Sequence, residues 1–192
     1  MDKRRFLTTA ALAAGATPLL SQAAAGARGP TLLTVTGAIG HGNRGPLDSA
    51  LDQMMAKQKL AFDKAFCFDF AALVALPART IKPTLEYDGK LHVLRGPSLV
   101  DVLKAAGATL AESTKLALRA VDGFAAIVPL AQARAQQFMV ATHLDGQPMP
   151  LGGLGPLWAV YDADRVPEMA ARPLKERFGA CPWALYHIDV SA

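Results

Sequence analysis

The sequence predicts a β-rich α+β domain, a mixed sheet or barrel of about eight or nine short strands with three or four short helices. Two Asp-Gly pairs, at 122–123 and 145–146, lie between apolar runs, and Asp-Gly supplies the positive φ of a tight hairpin turn. Residues 138–141 and 157–161 are short and apolar throughout, as strands with little solvent on either face are. The clearest helical periodicity is confined to one short stretch that begins after Ser98.

The first 27 residues predict an export signal. A basic start, Lys3 to Arg5, precedes the alanine-rich apolar stretch 6–20, and small residues at 23–27 offer a cleavage site. The stretch is too short for a membrane span and has the order of a secretory signal. The run Lys-Arg-Arg-Phe-Leu is also similar to a twin-arginine signal, so both export routes stay open. We therefore expect a periplasmic protein whose single domain covers residues 28–192.

The charge of the chain argues against a nucleic-acid-binding protein, and its length predicts a single domain. The formal charge of the whole chain is +4, and residues 2–5 contribute three positive charges and one negative one. The remaining excess of about two charges forms no basic stripe, so nucleic acid is not an expected partner. About 165 residues are enough for one domain with a sizeable core.

The first half of the domain predicts alternating strands and helices. Alternation at 31–39 indicates the first strand, and a polar loop at 40–46 follows it. Apolar residues at helical spacing predict a helix over 47–59, and alternating phenylalanines predict a strand that ends at Phe68. Asp69 is placed to cap a short helix over 70–76, which Pro77 would end.

The second half of the domain has clearer signals for turns and for the ends of helices. An extended stretch over 79–93 turns at Asp88-Gly89, and Pro97-Ser98 begin the clearest helix, which Gly107 ends. A strand over 115–121 leads into the Asp122-Gly123 turn, and Pro129 begins a further helix. The remaining predictions are a glycine-rich loop at 149–156, an irregular stretch at 172–179 and a last strand at 183–190.

The order of these motifs resembles the molybdopterin-binding domain of the sulfite oxidase family, and above all its small single-domain bacterial members. The motifs are Asp-Gly-aromatic at 122–124, Pro-Leu at 129–130, Asp-Gly-x-Pro-Met-Pro at 145–150 and Gly-Pro-Leu at 155–157. The resemblance extends back through 68–77 and 95–108 and forward to 182–190. It implies the sulfite-oxidase fold.

The chain differs from that family at the positions that would bind the metal and the pterin phosphate. Family enzymes hold molybdenum through one cysteine thiolate, a soft ligand, between two helices that correspond here to the flanks of 78–95. That interval has no cysteine, and Cys67 and Cys181 lie outside it. Trp158 follows Gly-Pro-Leu where larger relatives have an arginine, and 179–183 has no charge where they bind the pterin phosphate. We expect neither molybdopterin nor sulfite oxidation.

A pterin remains the ligand that the resemblance implies. Its flat ring needs aromatic faces, and its amino-pyrimidine edge needs a carboxylate or amide. The candidate binding residues are Asp122, Phe124, Tyr87, Trp158, Tyr161 and Trp183, with His41, Asn43 and Arg177 at the rim. Each has a structural alternative: the tryptophans and Tyr161 suit a core, Asp122 suits a turn, and the loop of His41 and Asn43 suits a polar turn.

The resemblance predicts a non-catalytic periplasmic pterin-binding protein with no covalently bound cofactor, which relays pterin status to the periplasmic domain of an inner-membrane sensor. Two alternatives stay open, a molybdenum-cofactor oxidoreductase or redox subunit and an interaction domain without a ligand. The two cysteines suit an oxidising compartment as a disulfide or as two buried thiols. The fold of the family favours a disulfide between Cys67 and Cys181.

Overall fold

The computed structural model describes residues 29–191, so the predicted export signal, 1–27, lies outside the described residues. The described chain forms strands β1 (Leu33–Gly37), β2 (Phe66–Phe68), β3 (Ala78–Ile81), β4 (Leu94–Pro97), β5 (Lys115–Ala120), β6 (Ala125–Pro129), β7 (Met139–Ala141), β8 (His143–Leu144), β9 (Gln147–Pro148), β10 (Trp158–Val160) and β11 (Leu185–Ser191). Its helices are α1 (Gln53–Lys57), α2 (Phe70–Val74), α3 (Leu99–Ala105), α4 (Leu130–Ala135) and α5 (Pro167–Ala170), with 3-10 turns at Ala163–Arg165 and Leu174–Glu176. The predicted α+β class, rich in sheet with short helices, is confirmed.

The largest sheet has five strands in the order β2-β1-β11-β5-β6. β1 pairs with β11 in parallel, and the other neighbours are antiparallel. Alternation along β1 sends Leu33 and Val35 into the core, while Thr34 and Thr36 lie on the opposite face. The first and last strands of the domain therefore meet at the centre of this sheet.

Two smaller sheets complete the domain, one of four strands in the order β3-β4-β8-β9 and one formed by β10 and β7. A bridge between Ser98 and Met139 brings the end of β4 against β7. Within residues 29–191 none of the three sheets closes on itself, so the barrel form of the sequence prediction is wrong. The predicted turns at Asp122-Gly123 and Asp145-Gly146 join β5 to β6 and β8 to β9.

Two of the helices, α2 and α3, begin at the side-chain caps that the sequence predicted. The Asp69 carboxylate accepts the Ala72 N–H at 2.7 Å, and the Ser98 hydroxyl accepts the Asp101 N–H at 3.0 Å. The helix predicted over 47–59 is only the five residues of α1. Asp48 accepts backbone N–H groups of an earlier turn, so the helix begins after Asp52.

One apolar cluster connects the sheets and helices. It contains residues from Leu33 in the first strand to Val190 in the last, and Trp158 and Tyr161 are among its largest fully buried side chains. Burial of such surface supplies the main favourable term of folding. No helix in the described part of the chain is long and apolar enough to cross a membrane.

Candidate functional site

The best candidate site is a cavity of about 270 Å³ beside the β5–β6 turn. Three segments meet there: the turn itself, the loop that follows β3, and the chain that leads into β11. The lining residues are Glu86, Tyr87, Ala120, Asp122, Phe124, Phe178, Gly179, Cys181, Pro182 and Trp183. Four of the nine residues predicted to bind the ligand, Tyr87, Asp122, Phe124 and Trp183, are thus brought together.

Asp122 organises the turn from which it reaches the cavity. Its Oδ1 accepts the Phe124 N–H at 2.9 Å, which is the bond of an Asx turn. Gly123 has a φ of 95°, a conformation that favours glycine. The second carboxylate oxygen has no hydrogen-bond partner among the described residues, so turn chemistry and ligand binding are compatible in this one side chain.

Trp183 is directed outward by an irregularity at the start of β11. The sequence predicted that Trp183 would begin the last strand, but β11 begins at Leu185. Ala184 has a φ of 49°, and the pairing with β5 shifts register between Leu185 and His187. Such irregularities redirect side chains. The Trp183 side chain is 40% exposed and lines the cavity.

The loop after β3 supplies Glu86 and Tyr87. Backbone bonds from Leu85 N–H to the Lys90 carbonyl and from Gly89 N–H to the Leu85 carbonyl close this loop, and Leu85 is buried beneath it. Partial burial of the half-exposed ring, followed by the neighbouring Glu86 carboxylate, raises the pKa of Tyr87 to about 12. Sequence reasoning did not single out Glu86, although it adjoins Tyr87.

Cys181 forms part of the cavity wall as a buried thiol. Burial raises the pKa of this thiol far above its ordinary value, and the Glu86 carboxylate raises it further, although the Tyr161 backbone N–H partly opposes them. A protonated thiol is a poor nucleophile and a poor metal ligand. In the described part of the chain no group of three or more His, Cys, Asp and Glu side chains is placed to hold a metal ion.

The charge of the cavity does not fit a molybdenum cofactor. The lining contains two acidic residues, Glu86 and Asp122, and no basic residue. The phosphate of molybdopterin and an anionic substrate such as sulfite would both be repelled by these carboxylates. The same carboxylates suit a ligand that presents N–H donors.

Three predicted binding residues instead stabilise the structure around the cavity. Trp158 is fully buried, and its Nε1–H donates to the Cys181 carbonyl at 2.9 Å. Tyr161 is also buried, and its hydroxyl donates to the Arg177 carbonyl at 2.6 Å. The Arg177 guanidinium donates to Asp164 at 2.7 Å and to the carbonyls of Ala170 and Arg172. None of the three lines the cavity.

The two remaining rim residues lie elsewhere. The His41 ring packs edge-on against Phe66, with ring centres 5.8 Å apart. The Asn43 side chain bonds both the N–H and the carbonyl of Cys67, at 2.7 and 2.9 Å. Asn43 lines a different cavity, beside β2. These contacts correspond to the polar-turn alternative for the loop.

The predicted disulfide is also wrong, because both cysteines are free. Cys67 lies opposite Thr34, and its sulfur is 3.8 Å from the Thr34 hydroxyl. This is the face of the large sheet opposite to Leu33 and the core, whereas Cys181 belongs to the core cluster. The two sulfurs therefore lie on different sides of the sheet, and a disulfide requires Cα atoms within about 7 Å.

Comparison of the chain with protein-family profiles and with curated proteins found no significant match.

Proposed function

We propose that this chain is a non-catalytic, pterin-binding protein, and that the cavity beside the β5–β6 turn is its ligand site. The observation that carries the proposal is the convergence of Tyr87, Asp122, Phe124 and Trp183 on one cavity. They come from three segments that are far apart in the sequence, and each was predicted to bind a pterin before the fold placed them together.

The aromatic residues supply faces for a flat ligand. The exposed fractions of Tyr87, Phe124 and Trp183 are 54%, 46% and 40%. Large aromatic side chains are usually more buried than this, and each leaves a ring face accessible to a ligand. Stacking of a ring on such a face contributes about 0.5–1.5 kcal/mol beyond the area that it buries.

The two carboxylates supply the polar recognition. The 2-amino-4-oxo-pyrimidine edge of a pterin carries adjacent N–H donors, and a carboxylate accepts such a pair. Glu86 and Asp122 lie on the same cavity. Since no cation lines it, a pterin without a phosphate fits this cavity better than molybdopterin does.

The cellular role is part of the same proposal. The sulfite-oxidase fold and the relay to the periplasmic domain of an inner-membrane sensor follow from the resemblance of the sequence motifs, and export to the periplasm follows from the predicted signal at 1–27. Ligand binding without chemistry is consistent with a signalling role. A purified periplasmic sensor domain that binds the chain more tightly with pterin than without it would support the relay.

Tryptophan fluorescence tests the ligand site directly. The chain contains two tryptophans; Trp183 lines the cavity, and Trp158 is fully buried. We expect a reduced pterin to quench the emission in a saturable way, and Trp183→Phe to abolish most of that change. Free tryptophan at the same pterin absorbance corrects for the light that the ligand absorbs.

Two results would count against this assignment. Undiminished quenching in Trp183→Phe would place the ligand elsewhere. If no oxidised or reduced pterin quenches the wild type or produces heat in calorimetry, the interaction domain without a ligand becomes the better account.

A further inference from the structure

A further cleft, of about 270 Å³, lies on the outer face of the five-stranded sheet. Its lining residues are Thr36, Lys59, Leu60, Ala61, Arg119, His187 and Asp189. Thr36 is paired with Asp189 across β1 and β11, and Arg119 with His187 across β5 and β11. The strands therefore fix the relative positions of four polar side chains. None of them lines the proposed pterin site.

Three of these side chains form an ordered hydrogen-bond chain. The Thr36 hydroxyl donates to the Asp189 carboxylate at 3.0 Å and lies 2.9 Å from His187 Nε2. Since the hydroxyl proton is used on Asp189, His187 Nε2 must be the donor to Thr36. Burial lowers the pKa of His187 to about 4, so the ring is neutral. Its Nδ1 is buried and has no partner among the described residues.

The inference depends mainly on Arg119, whose positive charge has no ion-pair partner among the described residues. Its Nε is buried without a hydrogen-bond partner in the described chain. No hydrogen bond or ion pair joins the rest of its guanidinium to any described residue. Half-buried arginines are normally paired with a carboxylate or a carbonyl. An unpaired guanidinium on the wall of a cleft indicates a partner that is supplied from outside the chain.

Lys59 adds a second cation from a residue position that usually prefers glycine. The Leu60 N–H donates to the Met55 carbonyl and the Lys59 N–H to the Ala56 carbonyl, both at 3.0 Å. These two bonds form a Schellman motif at the end of α1, with Lys59 at the left-handed position. Its φ is 59°, and a lysine is strained there.

The neighbouring Gln58 holds this segment above the sheet. It accepts the Tyr186 hydroxyl at 2.7 Å and donates to the Val121 carbonyl at 3.3 Å. The backbone bonds of the Schellman motif and the side-chain bonds of Gln58 therefore hold Lys59 in place above the sheet.

We infer that this cleft binds a phosphate group, with the Arg119 guanidinium and the Lys59 ammonium as its charged donors. The lining has two cations, Lys59 and Arg119, and one carboxylate, Asp189, which Thr36 occupies. Arginine and lysine together are the usual protein donors to phosphate oxygens. A phosphate dianion would reverse the excess of positive charge.

Melting curves and calorimetry with inorganic phosphate and with glycerol phosphate test the inference. All samples have the same ionic strength, which sodium chloride sets. We expect at least one of the two probes to raise the melting temperature of the wild type and to bind saturably. Arg119→Gln should weaken the binding of that probe about tenfold to a hundredfold, because it replaces a charged hydrogen-bond donor to the phosphate by a neutral one. Binding of glycerol phosphate indicates a phosphomonoester as the source, and binding of inorganic phosphate alone indicates the free ion.

Lys59→Gly separates ligand binding from folding. Glycine accepts the left-handed conformation, so this variant should melt at a higher temperature than the wild type without phosphate, and yet bind the probe more weakly. Lys115→Gln is the matched control: Lys115 is exposed at the start of β5 and outside the cleft. Its loss removes the same charge and should leave the affinity unchanged.

The inference is overturned if chloride at equal ionic strength stabilises the protein as much as both phosphate probes do. It is equally overturned if Lys115→Gln weakens binding as much as Lys59→Gly does. In either case the cleft holds only water, and its cations act through the general charge of the protein.

Discussion

Replacement of Asp122 by alanine should weaken pterin binding more than it destabilises the protein. The lost interaction with the ligand is a hydrogen bond to a charged group, which contributes about 1.5–3 kcal/mol. Since each 1.4 kcal/mol is about a factor of ten, the dissociation constant should rise roughly ten- to a hundredfold. The variant also loses the bond from the Phe124 N–H, 2.9 Å long and exposed, which contributes about 0.5–1.5 kcal/mol to folding.

Asp48→Ala provides the matched control. The Asp48 carboxylate accepts the N–H of Ala50 at 2.8 Å, two residues ahead, as Asp122 does for Phe124. Asp48 does not line the cavity. Calorimetric titration with a reduced pterin, and urea unfolding of each variant, measure both quantities. Equal pterin affinity in Asp122→Ala and Asp48→Ala would refute the role of the Asp122 carboxylate.

Two further predictions concern the thiols and the pH dependence of stability. Native, non-reduced protein should titrate two thiols after denaturation, and Cys67 should react before the buried Cys181 when folded; one disulfide per chain would contradict the structure. His92 bonds Asp145 at 2.7 Å and Asp88 at 3.1 Å, and the Asp145 and Asp88 carboxylates raise its pKa. Its contribution to stability is therefore fully present below the unfolded value of about 6.5 and is lost as pH rises through the higher folded pKa. Urea unfolding at several pH values across this range should show that the free energy of unfolding of the wild type declines as pH rises, and that His92→Gln lacks this decline. Identical pH profiles of the two proteins would count against the His92 contacts.

The elements that the sequence predicted correctly depend on local chemistry. The Asp122 and Asp145 turns need a positive φ within two residues, and the Asp69 and Ser98 caps bond N–H groups three residues ahead. The helix over 47–59 was overestimated because helical spacing does not register the competing bonds of Asp48. The parallel pairing of β1 with β11 joins distant segments, and no local pattern specifies it.

The site could be predicted in part for the same reason. Tyr87 and Trp183 were selected for their ring faces, and both line the cavity. Trp158 and Tyr161 have the same chemistry but point into the core, which depends on packing between distant strands. Glu86 was missed because the pattern of a carboxylate in a loop is not distinctive.

The sequence pattern could not predict the proposed phosphate cleft. His187 and Asp189 are two residues apart in the last strand, and Thr36 alternates with apolar residues in the first strand. The pairing of these strands with β5, which brings Arg119 beside His187, is visible only in the fold.

The most direct test of the account is a crystal structure of the protein grown with a saturating reduced pterin. The account predicts one pterin in the cavity beside the β5–β6 turn, its ring against Trp183 or Tyr87 and its amino-pyrimidine edge bonded to Asp122 or Glu86. A pterin bound at another place, or an empty cavity at a ligand concentration that saturates binding in solution, would contradict it.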